Sequence, residues 1–144
     1  MNCITDKTIS LDGIMTRKPD ASCGATALFA GRVRNHHQGR SVARLFYECY
    51  PSMADKQIKE IVARSKEVWG VKDIFVQHRI GWLEIGDIAI VIIVDSAHRD
   101  EAFNAAREIL EDIKKKVPIW KKEVYTDGTS DWVLACHSSE EVHV

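Results

Sequence analysis

The chain has 144 residues, with 20 Lys and Arg against 21 Asp and Glu, and 45% of its residues are apolar. Balanced charge beside many apolar side chains excludes an intrinsically disordered chain and disfavours a general binder of nucleic acid or anionic membranes. We therefore expect residues 1–144 to form a single globular domain, in which any anion binding is local.

Neither a membrane anchor nor a secretion signal is evident in the sequence. The longest strongly apolar run, Ile88–Val94, has seven residues, whereas a membrane-spanning helix needs about 20. Met1–Lys7 lacks the apolar core of a signal peptide. These features predict a cytoplasmic protein. The four cysteines form no C-x-x-C pair, which predicts reduced thiols, with Cys23 and Cys49 as small buried residues.

The amino-terminal part predicts a short strand, a brief helix and a hairpin. Ser10 precedes a helix over Leu11–Arg17 and is its expected cap. Small and apolar residues run without interruption through Gly24–Val33, which predicts a buried strand. Ala43–Tyr50 alternates and is the expected antiparallel partner of that strand, across a basic loop that turns at Gln38-Gly39.

A long amphipathic helix and two strands follow. The helix opens at Pro51-Ser52 and stops at Gly70. Its apolar face is predicted from helical spacing to comprise Ala54, Ile58, Ile61, Val62, Ser65, Val68 and Trp69. Asp73–Glu84 and Asp87–Asp95 predict two strands joined at Glu84-Ile-Gly86, the second apolar enough for the centre of a sheet.

The last third predicts a second helix and two short strands. The helix spans Arg99–Lys116 and ends before Pro118. Its apolar face is predicted to comprise Ala102, Phe103, Ala106, Ile109, Leu110 and Ile113. Ile119–Val124 and Asp131–Cys136 predict strands around a turn at Asp127-Gly128. The whole order predicts an α+β fold with a largely antiparallel sheet and two main helices.

A basic loop tip is the first candidate site. Five basic residues lie within nine positions of a chain that is slightly acidic overall: Arg32, Arg34, His36, His37 and Arg40. The cluster favours an anion site, and a solvated loop is the structural alternative. An RNA-binding tip would require exposed aromatic residues there. Metal binding by His36-His37 would require an acidic or Cys partner nearby.

The second candidate site is the start of the second helix, Asp95–Asp100. A helix amino terminus offers unpaired N–H groups, and His98 and Arg99 add side-chain donors at the same place. This combination favours a phosphate cradle. The alternative is that Ser96 or Asp100 simply caps the helix.

Two lysines form the third candidate site. Helical phase places Lys114 at the border of the buried face, whereas Lys115 and Lys116 point away from it. Strand alternation after the helix places Lys121 on the same face as Ile119. A partly desolvated lysine can have a pKa suited to proton transfer. Interaction with the helix dipole is the alternative, and it explains Lys115 and Lys116 better than Lys121.

Six motifs in a fixed order give the chain a family resemblance from about Gly24 to Val133. They are Phe29-Ala-Gly-Arg-Val-Arg-Asn-His36, Glu48-Cys-Tyr-Pro-Ser-Met53, His78-Arg-Ile-Gly81, Gly86-Asp87, Ser96-Ala-His-Arg99 and Pro118-Ile-Trp-Lys-Lys-Glu123. Together they resemble the family of the catalytic (large) subunit of molybdopterin synthase. The likeness departs at Leu134-Ala-Cys136, where relatives often carry charged residues, and in the amino-terminal segment.

The resemblance implies an α/β hammerhead fold and a sulfurtransferase. It implies a homodimer within a heterotetramer, whose other component is a small ubiquitin-like subunit that carries a carboxy-terminal thiocarboxylate. Sulfur would pass from that group to cyclic pyranopterin monophosphate (precursor Z), which forms the dithiolene of molybdopterin. The resemblance implies no metal or organic cofactor at this step. The balanced charge and the short apolar runs predict no nucleic-acid or membrane partner.

Site residues follow from the resemblance by motif. Lys114 and Lys121 match the family's active-site lysines. His98 and Arg99 match a pair that binds the anionic end of the substrate, which we expect to happen across the dimer. The remaining substrate-binding residues implied are Phe29, Arg32, Val33, Arg34, Lys122 and Glu123. A non-catalytic anion-binding module is the alternative from another class, and the two lysines argue against it.

Overall fold

The computed structural model describes residues 2–134 and contains nine strands and three helices in that range. In chain order they are β1 (Ile4–Thr5), α1 (Asp12–Met15), β2 (Ala25–Arg32), β3 (His36–His37), β4 (Arg40–Glu48), α2 (Pro51–Trp69), β5 (Asp73–Arg79), β6 (Gly81–Glu84), β7 (Ile88–Ser96), α3 (Arg99–Lys116), β8 (Trp120–Tyr125) and β9 (Ser130–Leu134). The predicted α+β class is confirmed.

The first sheet has the order β1-β5-β7-β2. Only the β1–β5 pair is parallel, and the other two pairs are antiparallel. All nine residues of β7 are buried, because helices cover one face of the sheet and the amino-terminal segment covers the other. The prediction of a central strand here is confirmed.

The main core lies between this sheet and the helices α2 and α3. Alternate residues of β7, Ile92 and Val94, face Ile58 of α2 and Ile109 of α3 in this core. The intervening residues of β7 pack instead with Ile9 near the amino terminus. Because both faces of the sheet are covered, the central strand is apolar throughout and not alternating.

The second sheet runs β4-β8-β9, with β3 and β6 paired to successive parts of the outer edge of β4. Leu45, Leu83 and Tyr125 form a smaller core on its inner face. Its outer face carries aromatic side chains, with Phe46 5.0 Å from Trp82 and 6.2 Å from Trp132 between ring centroids. The two faces of this sheet therefore have different neighbours.

One predicted strand pairing and the extent of one predicted strand are wrong. β2 pairs with β7 in the first sheet, whereas β4 belongs to the second sheet, so the expected β2–β4 hairpin does not form. The hairpin at this loop is β3–β4, which turns at Gln38 (φ 51°) and Gly39 (φ 78°). Asp73–Glu84 is not one strand either, because the chain bends at Gly81 (φ 94°) and passes from the first sheet to the second. Apolar patterns do not specify which sheet a strand joins.

Both long helices have the predicted bounds. α2 ends where Gly70 adopts a left-handed conformation (φ 64°) and donates its N–H to the carbonyl of Lys66. α3 ends at Lys116, directly before the buried residue Val117. The short helix α1 is confirmed with fewer residues. The predicted Ser10 cap is wrong, because Leu11 occupies the N-cap position and no side-chain cap bond forms. The hydroxyl of Ser10 instead accepts a 3.4 Å hydrogen bond from the N–H of Asp12.

Several burial predictions are wrong. β2 is not a buried strand, because only Ala27 is buried in it. Val68 and Phe103 are exposed, since they lie at the edges of their helical faces. Cys23 and Cys49 are only partly buried, and Cys3 is the fully buried thiol. These three cysteines are free, as predicted.

The predicted final strand is confirmed through Leu134, and residues 135–136 of that prediction, including Cys136, lie outside the described residues. The predicted turn at Asp127-Gly128 is confirmed, with Gly128 at φ 89°. No helix within residues 2–134 is long and apolar enough to cross a membrane.

Candidate active site

A cavity of about 250 Å³ lies where the first sheet, the carboxy-terminal turn of α3 and the second sheet meet. Its floor includes one row of residues across three strands, because Ile90 of β7 is paired with Gly31 of β2 and with His78 of β5. Tyr47 of β4 and Lys121 of β8, which are paired across the second sheet, form one wall. The two sheets and the helix thus each contribute side chains to the same cavity.

The two predicted catalytic lysines meet in this cavity. Lys114 reaches it from the last turn of α3, and Lys121 reaches it from β8. Between them, Val117 and Ile119 are buried and hold the connecting segment against the core. Burial lowers the pKa of Lys121, and the positive charges of Arg34 and Lys114 lower it further, whereas Glu123 acts in the opposite direction. Proton loss from Lys121 is therefore easier than from an ordinary lysine.

Two arginines, one at the end of β2 and one just after it, complete the cationic side. Arg34 lines the cavity, and its positive charge is close enough to lower the pKa of Lys121. Arg32 also lines the cavity, and its Nη1 donates a 2.8 Å hydrogen bond to the carbonyl of Gly86. Phe29 adds an apolar wall and is 37% exposed. These three sequence-predicted residues are brought together with the lysines.

Glu123 lies beneath this cluster and does not line the cavity. Its carboxylate is almost fully buried and lies 2.9 Å from Nδ1 of His37, which does line the cavity. The hydroxyl of Tyr125 also donates to Glu123, at 3.3 Å. The buried carboxylate thus connects the β3–β4 hairpin to β8 and offsets part of the positive charge around Lys121.

The basic loop tip is divided, since Arg32, Arg34 and His37 line the cavity whereas the other two basic residues do not. His36 is exposed and contacts Asn35. Arg40 turns away from the cavity, with its guanidinium 3.5 Å from the ring centroid of Tyr125 and its Nη1 3.0 Å from Asp131. Because Arg40 contacts residues of two other strands of the second sheet, it stabilises that sheet and does not contribute to an anion site.

The predicted phosphate cradle at the start of α3 is separate from the cavity. His98 and Arg99 are exposed, and neither lines it. Arg99 and Lys114 are fifteen positions apart on the helix, which corresponds to about 22 Å along the axis. The alternative capping role is wrong for both Ser96 and Asp100, because His98 occupies the N-cap position and no side-chain cap bond forms.

Two further predicted residues lie away from the cavity. Val33 is buried in the core of the second sheet, and its backbone N–H donates to the carbonyl of Asp87. Lys122 is paired with Phe46 and Trp132 and so lies on the opposite face of β8 from Lys121. Neither side chain reaches the cavity within one chain.

Sequence reasoning assigned no site role to Gly31, Tyr47 and His78, which also line the cavity. The pairing of Tyr47 with Lys121 identifies it, but strand pairing is a tertiary property. A Cβ at Gly31 would lie 2.9 Å from Cγ2 of Ile90, so glycine allows the close approach to Ile90 at the cavity floor. His78 is the first residue of the motif His78-Arg-Ile-Gly81, which is the only sequence signal for it.

The arrangement can bind an anion and exchange a proton beside it. Arg34, Lys114 and Lys121 provide the positive charge, and the partly desolvated Lys121 provides a nitrogen with a lowered pKa. Within residues 2–134, no three His, Cys, Asp or Glu side chains are grouped so that they could hold a metal ion.

Comparison with known proteins identifies the family. The profile described as "MoaE protein" matches residues 4–116. The chain belongs to the MoaE family. It is 43% identical over 131 residues to the molybdopterin synthase catalytic subunit of Thermoplasma volcanium, across 90% of this chain and 94% of that protein. It is 41% identical over 130 residues to molybdopterin synthase catalytic subunit 1 of Mycobacterium tuberculosis, across 90% and 88%.

Solved structures agree with this MoaE assignment. Molybdopterin synthase from Staphylococcus aureus superposes with a TM-score of 0.84 at 37% identity, across 90% of this chain and 94% of that chain. The α/β hammerhead class expected from the resemblance is confirmed by this likeness. A complex of subunits 1 and 2 of molybdopterin-converting factor from Helicobacter pylori shares the fold, with a TM-score of 0.71 at 19% identity. The chain is thus an enzyme of the molybdopterin synthase catalytic-subunit type, which acts in molybdenum cofactor biosynthesis.

Proposed function

We propose that this chain transfers sulfur from the carboxy-terminal thiocarboxylate of a small ubiquitin-like subunit to cyclic pyranopterin monophosphate. Two transfers form the dithiolene of molybdopterin. The observation that carries the proposal is the cavity in which Arg34, Lys114 and Lys121 lie together. Both reactants are anionic, and one cationic cavity can bind the thiocarboxylate and the pterin phosphate side by side.

The lysines are proposed to orient the thiocarboxylate and to move protons. Lys121 is suited to this role because burial and the neighbouring cations lower its pKa. A group whose pKa lies closer to the working pH exchanges protons more efficiently in a transition state. Lys114, which is more exposed, is proposed to hold the thiocarboxylate by charge.

Each transfer is proposed to take two steps. The thiocarboxylate sulfur attacks a side-chain carbon of the pterin, and a C–S bond forms. The C–O bond at the same carbon breaks, and the oxygen substituent leaves with a proton. Water then cleaves the bond between sulfur and the acyl carbon, which releases the partner's carboxylate and leaves sulfur on the product. Placement of the reactants and fixed positive charge would supply most of the acceleration.

The partner and the oligomer belong to the same proposal. The Helicobacter pylori neighbour is itself a complex of two subunits, which supports a small-subunit partner for this fold. His98 and Arg99 lie about 22 Å of helix from Lys114, so a role at the substrate's phosphate requires a second copy of the chain. We propose a homodimer within a heterotetramer, in which this pair serves the neighbour's cavity, with Arg34 as the local phosphate contact.

Reconstitution tests the proposal. The purified chain is mixed with a thiocarboxylated small subunit and precursor Z, and the dithiolene product is measured. The matched control uses the same small subunit with an ordinary carboxylate, which should give no product. If the complex forms but the thiocarboxylated subunit also gives no product, the protein is a non-catalytic binding module and the proposal is wrong.

A further inference from the structure

His78 is a buried histidine on the cavity floor for which the sulfur-transfer proposal has no use. Only 6% of its surface is exposed, and it lies in the same row as Ile90 and Gly31. Because Gly31 has no side chain, the cavity stays open above this row. The imidazole is therefore available to a molecule inside the cavity.

The hydrogen bond at Nδ1 fixes the state of the other ring nitrogen. Nδ1 of His78 lies 2.8 Å from the carbonyl oxygen of Arg79, and a carbonyl only accepts, so Nδ1 carries the proton. Burial lowers the pKa of His78 to about 4, which keeps the ring neutral at physiological pH. Nε2 is consequently a hydrogen-bond acceptor with a free lone pair.

No residue between 2 and 134 donates a hydrogen bond to that lone pair. His78 is one of the residues that line the cavity, and Nε2 is the polar atom of its side chain that has no partner among the described residues. Buried acceptors in folded proteins are nearly always paired. An unpaired acceptor that faces a cavity indicates a donor on the ligand.

Tyr47 provides a second neutral polar group beside it. Its ring packs edge-to-face with His78, with centroids 5.1 Å apart and an interplanar angle of 79°. Burial, together with the charge of Glu123, raises the pKa of Tyr47 to about 12, so its hydroxyl stays protonated and can donate. Tyr47 lines the cavity, and its hydroxyl has no hydrogen-bond partner among residues 2–134.

The cavity thus has a neutral side and a cationic side. Arg34, Lys114 and Lys121 suit the anionic groups of a ligand. An acceptor beside a donor suits an N–H next to a carbonyl, which is the lactam edge of a pterin ring. We propose that His78 and Tyr47 determine specificity for the heterocycle, with Nε2 of His78 accepting the lactam N–H and the Tyr47 hydroxyl donating to the lactam carbonyl.

This inference rests on the proposed function, since it assumes that the cavity takes a pterin, but it is tested by binding alone. The probes are neopterin monophosphate and its N3-methyl derivative, which keeps the phosphate and lacks the lactam N–H. Affinities are measured by fluorescence titration for the parent, His78→Phe and His78→Gln. The matched control is His36→Phe, because His36 is exposed and lies outside the cavity.

For the parent, we expect N3-methylation of the probe to weaken binding about tenfold, as for one lost hydrogen bond to a buried group. His78→Phe should bind the unmethylated probe about tenfold more weakly and should no longer distinguish the two probes. His78→Gln places an amide oxygen near the position of Nε2 and should restore part of the discrimination. His36→Phe should behave as the parent.

Tyr47→Phe tests the carbonyl contact, and Tyr50→Phe is its matched control because Tyr50 is 75% exposed and lies outside the cavity. Tyr47→Phe should weaken both probes equally, since both retain the carbonyl.

Three results would overturn the inference. The first is that the parent shows no saturable binding of the unmethylated probe up to about 1 mM, a weak ligand affinity. The second is that the parent binds both probes with equal affinity. The third is that folded His78→Phe still distinguishes the two probes. The sulfur-transfer assay is scored separately. Product formation without probe discrimination would leave the proposed function standing and remove the specificity role of His78 and Tyr47.

Discussion

Lys121 and Lys115 are both lysines near the end of the same helix–strand segment, and their surroundings differ. Lys121 is partly buried, faces the cavity and has a lowered pKa. Lys115 is exposed in the last turn of α3, where its charge interacts favourably with the helix dipole. Because both residues are lysines, a comparison of variants at the two positions separates the effect of lying in the cavity from a general effect of positive charge.

We expect Lys121→Ala to lower the rate of sulfur transfer about 10²-fold or more, the range for loss of a proton-transfer group. Single-turnover product formation in the reconstituted complex measures this rate. Lys115→Ala should retain the parent rate. If folded Lys121→Ala formed product as fast as the parent, the catalytic assignment of Lys121 would be incorrect.

The lowered pKa of Lys121 also predicts a pH-dependent stability. The folded chain binds this proton less tightly than the unfolded chain does, so the charged lysine destabilises the fold below its lowered pKa. That penalty disappears as the pH rises toward the ordinary value of 10.5. Lys121→Met should therefore melt at a higher temperature than the parent at pH 7, and the difference should shrink as the pH is raised.

Thermal unfolding followed by circular dichroism between pH 7 and pH 10 measures this difference. Lys115→Met is the control, and its difference from the parent should vary little with pH because Lys115 is exposed. A Lys121→Met advantage that stayed constant across the range would contradict the assigned burial effect.

At the scale of elements, the floor of the cavity depends on how closely β2 and β7 approach. Gly31 stands opposite Ile90 in the antiparallel register, and the irregularity between Gly31 and Arg32 follows directly. The next residues of the chain, Val33 and Arg34, then separate, one into the core and one into the cavity. The strand end thus sets both the depth of the cavity and the direction of its arginine.

Gly31→Ala should destabilise the fold by about 1–3 kcal/mol, the usual range for overpacking, because the added Cβ would lie 2.9 Å from Cγ2 of Ile90. Urea denaturation measures the loss. Gly13→Ala is the control, since a Cβ at Gly13 meets no atom within 4 Å and alanine favours the helix. Equal stability of Gly31→Ala and the parent would mean that Ile90 moves aside without penalty.

At the scale of the whole molecule, the two groups of proposed substrate contacts lie at opposite ends of α3. The helix has 18 residues, with Arg99 at its start and Lys114 in its last turn. Within one chain they cannot hold the same small molecule. A dimer that brings the start of one α3 to the cavity of its neighbour would complete the site.

Mixed dimers test this arrangement. Lys121→Ala and Arg99→Ala should each be defective alone, the second chiefly through weaker substrate binding. When the two variants are coexpressed, half of the dimers are mixed and one of the two sites in each is intact, so activity should return to about a quarter of the parent value. Activity no higher than the mean of the two separate variants would place both residues in the same chain's site.

The sequence by itself determined the parts of this protein that depend on local periodicity. Both long helices, the central strand and the turn at Gly128 were predictable, because apolar spacing and turn residues act within a few positions. The same logic selected Lys114 and Lys121, since helix phase and strand alternation fix the face on which a side chain lies. The ordered motifs gave the family.

Only the tertiary structure decided what meets in the cavity. Pairing of β2 with β7 and bending at Gly81 distribute the strands between two sheets, and a strand's apolar pattern is compatible with either partner. These long-range choices bring Tyr47 and His78 beside Lys121 and turn Arg40 and Lys122 away. Packing between distant segments, which optimises the whole core at once, therefore kept some of the candidates that local pattern had supplied, excluded others and added Tyr47 and His78, which local pattern had not indicated.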